Sequence, residues 1–380
     1  MTEQPAGTPD AVPETTGKNE WAKTLARFAR YVTIRGIAVL ITVAIGVYIA
    51  IWVSQLGGYA DEWRRNEIRG AVAMGFRGNA AYAALSASEK EAMTEAAWAA
   101  AIAAADLDKP FIVRSFRHTA EALSLTLGEV NRMTTGGGSG NVRDILLERL
   151  PMTLILFGTA NLLTFFGSLF ISMFLSRRYG GFFDRVAVAL VPILAAPPWF
   201  HGVFLVLIFA VLAGILPYGG ILDAPPPETT FGHFLSLLKH LILPVLATVL
   251  GTLSIAVYAG RAFFLIHSSE DYVDLAKAKG LRSNTIERRY VLRPVLPAII
   301  TNFALTLIMA WQGSILTELV FNWPGVGRLL VTAVMRFEVP VIIGAVVIFA
   351  YLLALTVLLL DILYALVDPR MRLGAGGETK

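Results

Sequence analysis

No group of residues in this sequence has the types and spacing that a catalytic or nucleotide-binding site requires. Gly17-Lys18 and the glycine run 136–140 both fail the pattern G-x-x-x-x-G-K-[ST], the first because Val12 occupies the first glycine position and the second because no lysine follows. No H-E-x-x-H zinc motif and no G-x-S-x-G nucleophile elbow occur, and there is no cysteine to act as ligand or nucleophile. The five histidines are scattered, mostly near the ends of apolar stretches, where a hydrogen-bonded histidine is commoner than a metal ligand: His118, His201, His233, His240 and His267. We therefore predict no metal site, no cofactor and no catalytic residue in this chain.

The polar residues that stand out most are those of a basic loop, 268–297, which lies between two long apolar stretches. Such a loop must lie in water. Ser268 with Asp271 three positions later has the pattern of a capping box, and Gly280 suits the position just after a helix. The loop is therefore predicted to contain a helix of about ten residues.

One face of this predicted helix is suited to a groove on another molecule. Four residues share that face at spacing i, i+3, i+4 and i+7: Tyr272, Leu275, Ala276 and Lys279. Asn284 with Glu287 predicts a second helix that ends near Pro294. From these residues alone, the alternative is a basic amphipathic segment that lies on anionic lipid.

Asp274, Leu275 and Ala276, followed after three residues by Gly280, resemble the EAA loop of ATP-binding-cassette importer permeases, although Leu275 stands where that family has its first alanine. In that family the helix of this loop docks on the ATPase subunit. The resemblance therefore implies a coupling site made by seven residues: Tyr272, Asp274, Leu275, Ala276, Lys277, Lys279 and Gly280.

Four further segments are similar to the dipeptide, oligopeptide and nickel branch of these permeases: 148–154, 197–200, 318–330 and 361–370. Together with the loop they cover 148–370, in order and at family-like spacing. The resemblance implies an all-α protein with the six-helix architecture of a type I importer permease, in the cell membrane of a prokaryote. It also implies three kinds of partner subunit: a second homologous permease, two cytosolic ATPases that hold ATP and magnesium, and an extracytoplasmic solute-binding protein. Peptides are the expected solute, while oligosaccharides, nickel chelates and glutathione-like molecules are compatible with it.

Composition indicates a polytopic membrane protein without reference to any family. The chain is 56% hydrophobic and 16% charged, with a mean hydropathy of +0.63, which is more apolar than a single soluble core of this length uses. A hydrocarbon core of about 30 Å requires roughly 20 apolar residues per helix. Six stretches meet that requirement: 37–56, 152–175, 186–215, 241–264, 295–320 and 339–367.

The basic residues predict the orientation. They lie before the first stretch, between the second and third, between the fourth and fifth, and after the sixth: Lys23, Arg27, Arg30, Arg35; Arg177, Arg178, Arg185; Arg282, Arg288, Arg289, Arg293; Arg370, Arg372. All four clusters fall on one side if the stretches alternate, and the positive-inside rule makes that side cytoplasmic. The net charge of +4 thus indicates orientation rather than nucleic-acid binding.

Five regions follow from this topology: a cytoplasmic tail 1–35, a first transmembrane helix 36–56, an extracytoplasmic segment 57–149, a five-helix permease core 150–367 with the coupling loop at 265–294, and a cytoplasmic tail 368–380. The composition of 1–19 predicts disorder. The first stretch could instead be a cleaved signal, but it is longer than a signal core and has no clear cleavage site before Asp61.

The extracytoplasmic segment is predicted to be mainly helical. The alanine-rich residues 80–105 form one predicted helix, with Ser86 and Glu89 at its start, and residues 111–127 form another with an apolar stripe. The glycine-rich residues 134–140 predict a flexible linker back to the membrane. The segment could contact the solute-binding protein or simply cover the helix bundle.

The fifth apolar stretch is the richest in polar residues, which within a membrane often face a path or a neighbouring helix. Asn302, Thr306, Met309 and Gly313 align on one face, and the candidate path residues are Asn302, Thr306, Trp311 and Gln312. Ordinary helix packing explains the same residues. Glu318, beside the turn 323–325, is expected to cap that turn rather than meet the solute.

Two other classes of function stay open. A gradient-driven secondary transporter needs an ion or proton site near the bilayer midplane, whereas the acids Glu318 and Asp361 lie toward the ends of their stretches. A membrane-embedded enzyme would need a nucleophile or metal set. Neighbouring genes for an ATPase and a binding protein would favour the importer.

The topology is directly testable because the chain has no cysteine. Cysteines introduced at Ser139 and Ser283 are expected to react with a membrane-impermeant thiol reagent from opposite sides of the membrane. Labelling of both from outside intact cells would contradict the six-span topology.

Overall fold

The computed structural model describes residues 16–55, 58–77, 79–130, 133–310 and 313–367. Within these residues the chain is helical, with one isolated antiparallel bridge between Glu129 and Asn141. The helices are α1 (Thr16–Gln55), α2 (Tyr59–Gly75), α3 (Ala80–Ala83), α4 (Ala87–Ala104), α5 (Phe111–Leu123), α6 (Val142–Arg177), α7 (Phe182–Leu194), α8 (Pro198–Leu205, continued as a π-helix Val206–Leu212), α9 (Thr230–Ser268), α10 (Asp271–Ala278), α11 (Ser283–Ile286, continued as a π-helix Glu287–Leu292), α12 (Arg293–Met309), α13 (Ile315–Val320), α14 (Val326–Arg336) and α15 (Val339–Val367). The all-α prediction is confirmed.

The chain forms two compact units, which divide within α1 and within α15. One consists of Met1–Thr42 with Ala354–Lys380, and the other is Val43–Leu353. In the described part of the first unit, the Arg35 Nε donates a hydrogen bond to Asp361 Oδ2 at 2.8 Å. The acid that ends the last apolar stretch is therefore paired with the basic residue that precedes the first one.

Five helices of the described residues are long and apolar enough to cross a membrane: Ala29–Ser54, Val142–Arg177, Thr230–Ser268, Ser283–Leu307 and Val339–Ile362. The predicted number of six spans is reached if the bent pair Phe182–Leu194 and Pro198–Leu212 counts as one span. Residues 16–19 were predicted to be disordered, and this is wrong, because α1 begins at Thr16. Residues 1–15 and 368–380 lie outside the described residues.

The third predicted span, 186–215, is not one continuous helix. Its two halves, α7 and α8 with its π-helical continuation, are bent by 91°. The cause is the pair Pro197-Pro198, because a residue that precedes proline is driven out of the α-helical region. Pro197 accordingly has extended backbone (φ −59°, ψ 147°), and Pro198 is the first residue of α8, where its missing N–H costs nothing.

The fifth predicted span, 295–320, also ends earlier than expected. Helix α12 stops at Met309, and the chain turns through Gly313, which has φ +58°. A new helix then begins, with the Ser314 Oγ accepting a hydrogen bond from the Thr317 N–H. Ser314, Thr317 and Glu318 therefore belong to the short helix α13 and not to the span.

The segment between the first two spans contains the predicted helices. Ser86 and Glu89 form a capping box at the start of α4, with the Ser86 N–H donating to Glu89 Oε2 at 2.8 Å. Residues 134–140 were predicted to be a flexible linker, and this is wrong. They form a closed turn in which the Val130 N–H donates to Gly140 O at 2.8 Å and the Gly136 N–H donates to Glu148 Oε2 at 2.9 Å.

A buried ion pair joins α2 to α5 in this segment. The Arg114 Nη1 donates to Asp61 Oδ1 at 2.9 Å, and the Arg114 side chain is 6% exposed. This hydrogen bond lowers the pKa of Asp61 below its usual range, although partial burial acts in the opposite direction. The pair therefore stabilises the folded segment wherever Asp61 is ionised.

Replacing Asp61→Asn is expected to lower the free energy of unfolding of this segment by about 1–3 kcal/mol at pH 7. Because the pKa is lowered on folding, the contribution is fully present above the unfolded-state value of about 3.9 and is lost as the pH falls through the folded-state value. Hydrogen exchange of the α5 amides measures it. The control is Glu62→Gln, at the exposed neighbouring position. Equal protection of α5 in wild type and Asp61→Asn at pH 7 would contradict the expectation.

Candidate functional site

The helix predicted in the basic loop is present as α10, although its start differs from the prediction. Ser268 is the last residue of α9, with its Oγ donating to Leu265 O at 2.9 Å, and Glu270 precedes α10. The predicted capping box at Ser268 is therefore wrong, because α9 continues through that residue. The second predicted helix starts at Ser283 and does not end near Pro294. It runs on through its π-helical continuation into α12, with Pro294 in the first turn of α12.

Gly280 ends α10 as predicted. Its φ is +70°, a backbone conformation that a residue with a Cβ adopts only with strain. The Gly280 N–H donates to Lys277 O at 2.9 Å and the Leu281 N–H donates to Ala276 O at 3.3 Å, which is the hydrogen-bond pattern of a Schellman motif. The direction in which the chain leaves α10 depends on this glycine.

One face of α10 packs on its own chain. Val273 is 1% exposed and Ala276 is 2% exposed. They belong to a buried cluster with residues of α9, α11 and its π-helical continuation, and α12: Phe264, Ile286, Val291 and Val295. We call this the loop core. The coupling loop is therefore seated on the spans that flank it.

The opposite part of α10 is exposed. Tyr272 and Leu275 are 39% and 58% exposed, and Asp274, Lys277 and Lys279 are exposed as well. The Lys277 Nζ lies 2.8 Å from Asp274 Oδ1. The prediction that Ala276 shares an outward face with Tyr272 and Leu275 is wrong, because its small side chain enters the loop core.

Two ion pairs that sequence reasoning missed connect this region to the other spans. The Arg177 Nε at the end of α6 donates to Glu287 Oε1 at 2.7 Å. In the other pair the Arg261 Nη2 on α9 donates to Asp184 Oδ2 at 2.8 Å, and Asp184 is 2% exposed. The partners lie 110 and 77 residues apart in the sequence, so no local spacing pattern could have paired them.

At the other end of α6 a buried carboxylate organises the turn after α13. Glu318 is completely buried. Its Oε1 accepts a hydrogen bond from Thr153 Oγ1 at 2.9 Å, and its Oε2 accepts one from the Arg328 N–H at 2.9 Å. The Val326 N–H donates to Thr153 Oγ1 at 2.8 Å. Together these side chains satisfy free N–H groups at the start of α14, so the prediction that Glu318 caps the turn is confirmed.

The turn itself leaves no room for a larger residue. A Cβ at Gly325 would lie 2.4 Å from Glu318 Oε1 and 2.5 Å from Thr153 Oγ1. Trp323 is fully buried, and its Nε1 donates to Met152 O at 2.9 Å. Burial raises the pKa of Glu318, while the hydrogen bonds from Arg328, Thr153 and Gly327 act against that rise.

Two of the four candidate path residues can be placed. Asn302 is exposed and Thr306 is partly buried on α12. The Thr306 Oγ1 donates to Asn302 O at 2.8 Å, so its hydroxyl is satisfied within its own helix. Trp311 and Gln312 lie outside the described residues. Gly313 does not continue the Asn302 face, because α12 has already ended.

His240 and His267 each lie within hydrogen-bonding distance of a backbone carbonyl of their own helix, as predicted, whereas the buried Nδ1 of His201 has no hydrogen-bond partner among the described residues. His240 Nδ1 lies 2.8 Å from Ser236 O, and His267 Nδ1 lies 2.9 Å from Phe263 O. The described residues include no group of three or more His, Cys, Asp or Glu side chains that could hold a metal ion.

The sequence profile of the binding-protein-dependent transport system inner membrane components matches residues 168–373, which is more than half of the chain. The chain belongs to this family. The permease is 33% identical over 283 residues to a di/tripeptide transport system permease protein of Pseudomonas aeruginosa, and the match covers 70% of this chain and 82% of that relative. It is 34% identical over 215 residues to a dipeptide transport system permease protein of Escherichia coli, covering 51% of this chain and 63% of the relative. With an oligopeptide transport system permease protein of Bacillus subtilis it shares 31% identity over 231 residues, which covers 60% and 72% of the two chains.

The matched part of the permease contains α10, the loop core and the Glu318 turn. Membership of this family identifies a permease subunit of a binding-protein-dependent transport system, and it excludes the alternative of a gradient-driven secondary transporter. Helices α1 to α5 precede the matched residues.

The role of Glu318 can be separated from solute contact by Glu318→Gln. The amide keeps the shape of the Glu318 side chain, but its NH₂ group would face the hydrogen-bond donors that now bind the carboxylate. We therefore expect the free energy of unfolding to fall by about 1–3 kcal/mol. The thermal denaturation midpoint of the purified complex measures the loss, with the exposed Glu228→Gln as control. Unchanged thermal stability together with abolished uptake would indicate instead that Glu318 contacts the solute.

Proposed function

We propose that this permease takes part in the import of peptides. The named relatives of this chain, from three different bacteria, are permeases of di/tripeptide, dipeptide and oligopeptide transport. The absence of Lys, Arg, Asp and Glu from residues 295–317 supports a path that holds no solute tightly, which suits cargo of varied side chains. The candidate path residues Asn302, Thr306, Trp311 and Gln312 remain part of this proposal.

The permease would work within a larger assembly. It would pair with a second homologous permease, two cytosolic ATPases and an extracytoplasmic solute-binding protein. ATP and magnesium would be bound by the ATPases, and this chain would contribute no cofactor. Both termini would be cytoplasmic, in the cell membrane of a prokaryote, and residues 57–149 would lie on the extracytoplasmic side.

The observation that carries the coupling proposal is the division of α10 into two faces. Tyr272 and Leu275 are exposed, while Val273 and Ala276 are buried in the loop core. An exposed apolar and aromatic pair on a short helix suits a groove on a partner protein. Because Val273 and Ala276 are packed in the loop core, a displacement of α10 would be transmitted to the spans through packed side chains rather than through a flexible loop.

Two connections would carry the motion onward. Val295 and Phe264 of the loop core belong to α12 and α9, so α10 is in contact with both spans. The ion pair between Arg177 and Glu287 joins the same loop to the end of α6. Closure of the ATPases would thus move α6, α9 and α12 together and switch the permease between inward-open and outward-open states.

The docking role is tested by Leu275→Arg. The side chain is exposed in the permease, so folding should persist, while a charge placed in an apolar groove should weaken ATPase binding by about 10-fold or more. The measurements are the amount of ATPase that co-purifies and ATP-driven uptake of a labelled dipeptide in proteoliposomes supplied with the binding protein. The control is Tyr218→Arg, an exposed residue in the stretch between the π-helix Val206–Leu212 and α9.

Two results would overturn different parts of the proposal. Full ATPase association and full uptake in Leu275→Arg would contradict docking through α10. A wild-type complex that hydrolyses ATP but takes up no dipeptide, tripeptide or longer peptide would contradict peptide cargo and leave the docking result unaffected.

A further inference from the structure

Helix α5 presents its apolar residues outward and its polar residues inward. Ile112, Val113 and Phe116 are 63%, 57% and 62% exposed. On the other side of the helix, Arg114 and Ser115 are buried. A helix of a segment surrounded by water is expected to show the reverse arrangement.

This orientation is held by satisfied hydrogen bonds rather than by chance packing. The Arg114 Nε donates to Lys109 O at 3.1 Å, in addition to the ion pair with Asp61. The Ser115 Oγ donates to Ile112 O at 2.8 Å, and the Thr119 Oγ1 donates to Ser115 O at 2.7 Å. Turning the apolar face inward would break the buried ion pair, so the apolar face must be covered by something else.

The contacts of α5 place it beside the spans. The ring centroid of Phe116 lies 5.2 Å from that of Tyr48, and Phe111 lies 6.5 Å from Trp52. Both partners belong to the span Ala29–Ser54. Tyr48 precedes the end of that span by roughly 9 Å at 1.5 Å per residue. Phe116 is therefore at the depth of the span's last turns.

The far end of α5 also contacts a span. The Tyr351 Oη donates to Leu123 O at 2.6 Å, and Tyr351 lies inside the span Val339–Ile362. Both ends of α5 thus touch residues of membrane spans. A helix suspended in water above the bilayer would not make these contacts.

The exposed face of α5 also adjoins apolar surface that a membrane must cover. Next to Tyr48 and Trp52 on α1, three further side chains are between 52% and 58% exposed: Ile45, Ile49 and Val53. Arg117 and Lys109, on the polar flank of α5 and just before it, are 49% and 53% exposed. Both are paired with Asp106, and Arg117 also with Glu121, so these ion pairs and not lipid already neutralise their charges.

We propose that α5 is an interfacial helix, with Ile112, Val113 and Phe116 inserted among the acyl chains of the adjacent leaflet and phospholipid as the occupant of this face. The inference rests on the proposed topology in one respect only, which is that the adjacent leaflet is the outer one. Insertion would anchor residues 57–149 to the bilayer and hold them beside the mouth of the permease. A second permease subunit or the solute-binding protein on the same face are the rival occupants.

Site-directed spin labelling distinguishes the three. The chain has no cysteine, so Val113→Cys and Ile112→Cys can each carry a single nitroxide in the complete complex, reconstituted in liposomes of phosphatidylethanolamine and phosphatidylglycerol. Ala100→Cys on α4 is the control, because that residue is exposed in the same segment. Collision rates are measured with oxygen, which concentrates in the bilayer, and with a water-soluble nickel chelate.

For lipid insertion, both α5 labels should collide several-fold more often with oxygen than with the nickel chelate, and the Ala100 label should show the opposite ratio. Frequent collisions of the α5 labels with the nickel chelate would overturn the proposal in favour of a water-exposed face. Immobilised labels that neither reagent reaches would overturn it in favour of a protein partner.

Discussion

The complete burial of the Glu318 carboxylate is the constraint on which the packing of α6, α13 and α14 depends. A buried carboxylate is tolerated only when hydrogen-bond donors surround it. Here the donors are the Thr153 hydroxyl, at the start of the second span, and the first free N–H groups of α14. Satisfying this one group therefore sets the positions of α6, α13 and α14 together, and it explains why Gly325 and a fully buried Trp323 lie beside it.

The same requirement shapes the opposite ends of the spans. Asp184 is almost completely buried and is held by Arg261, which ties α7 to α9. Glu287 is paired with Arg177, which ties the coupling loop to α6. Because charges in apolar surroundings need partners, these pairs hold the spans in register near the loop that contains α10. The loop is thus part of the packed structure and not a free arm.

Helices α10 and α5 raise the same question, which is what covers an exposed face. In α10, Val273 and Ala276 are buried and Leu275 is exposed, which suits a protein groove. In α5, an ion pair turns Ile112, Val113 and Phe116 outward at the depth of the first span, which suits lipid. The chemistry of the exposed face is similar in the two helices. The position of each helix along the spans is what favours a protein partner for α10 and lipid for α5.

By itself, the sequence determined the properties that depend on neighbouring residues. Long apolar stretches require membrane spans, basic clusters favour one orientation, Ser86 with Glu89 starts α4, and Gly280 ends α10. The motif around Asp274 and Ala276 also pointed to the permease family before any contact was known. All of these signals extend over roughly one helix or less, so the order of residues is enough to read them.

Only the tertiary structure decided which faces are inside and which distant groups meet. Periodicity placed Ala276 with Tyr272 and Leu275, but packing against α9 and α12 turned Ala276 inward. Sequence patterns also failed to predict three other features: the 91° bend in the third span, the closed turn at 134–140, and the pairing of Arg177 with Glu287. The physical reason is that a helix pattern defines its faces but not its neighbours, and burial of a charge selects a partner by distance in space, whatever the distance along the chain.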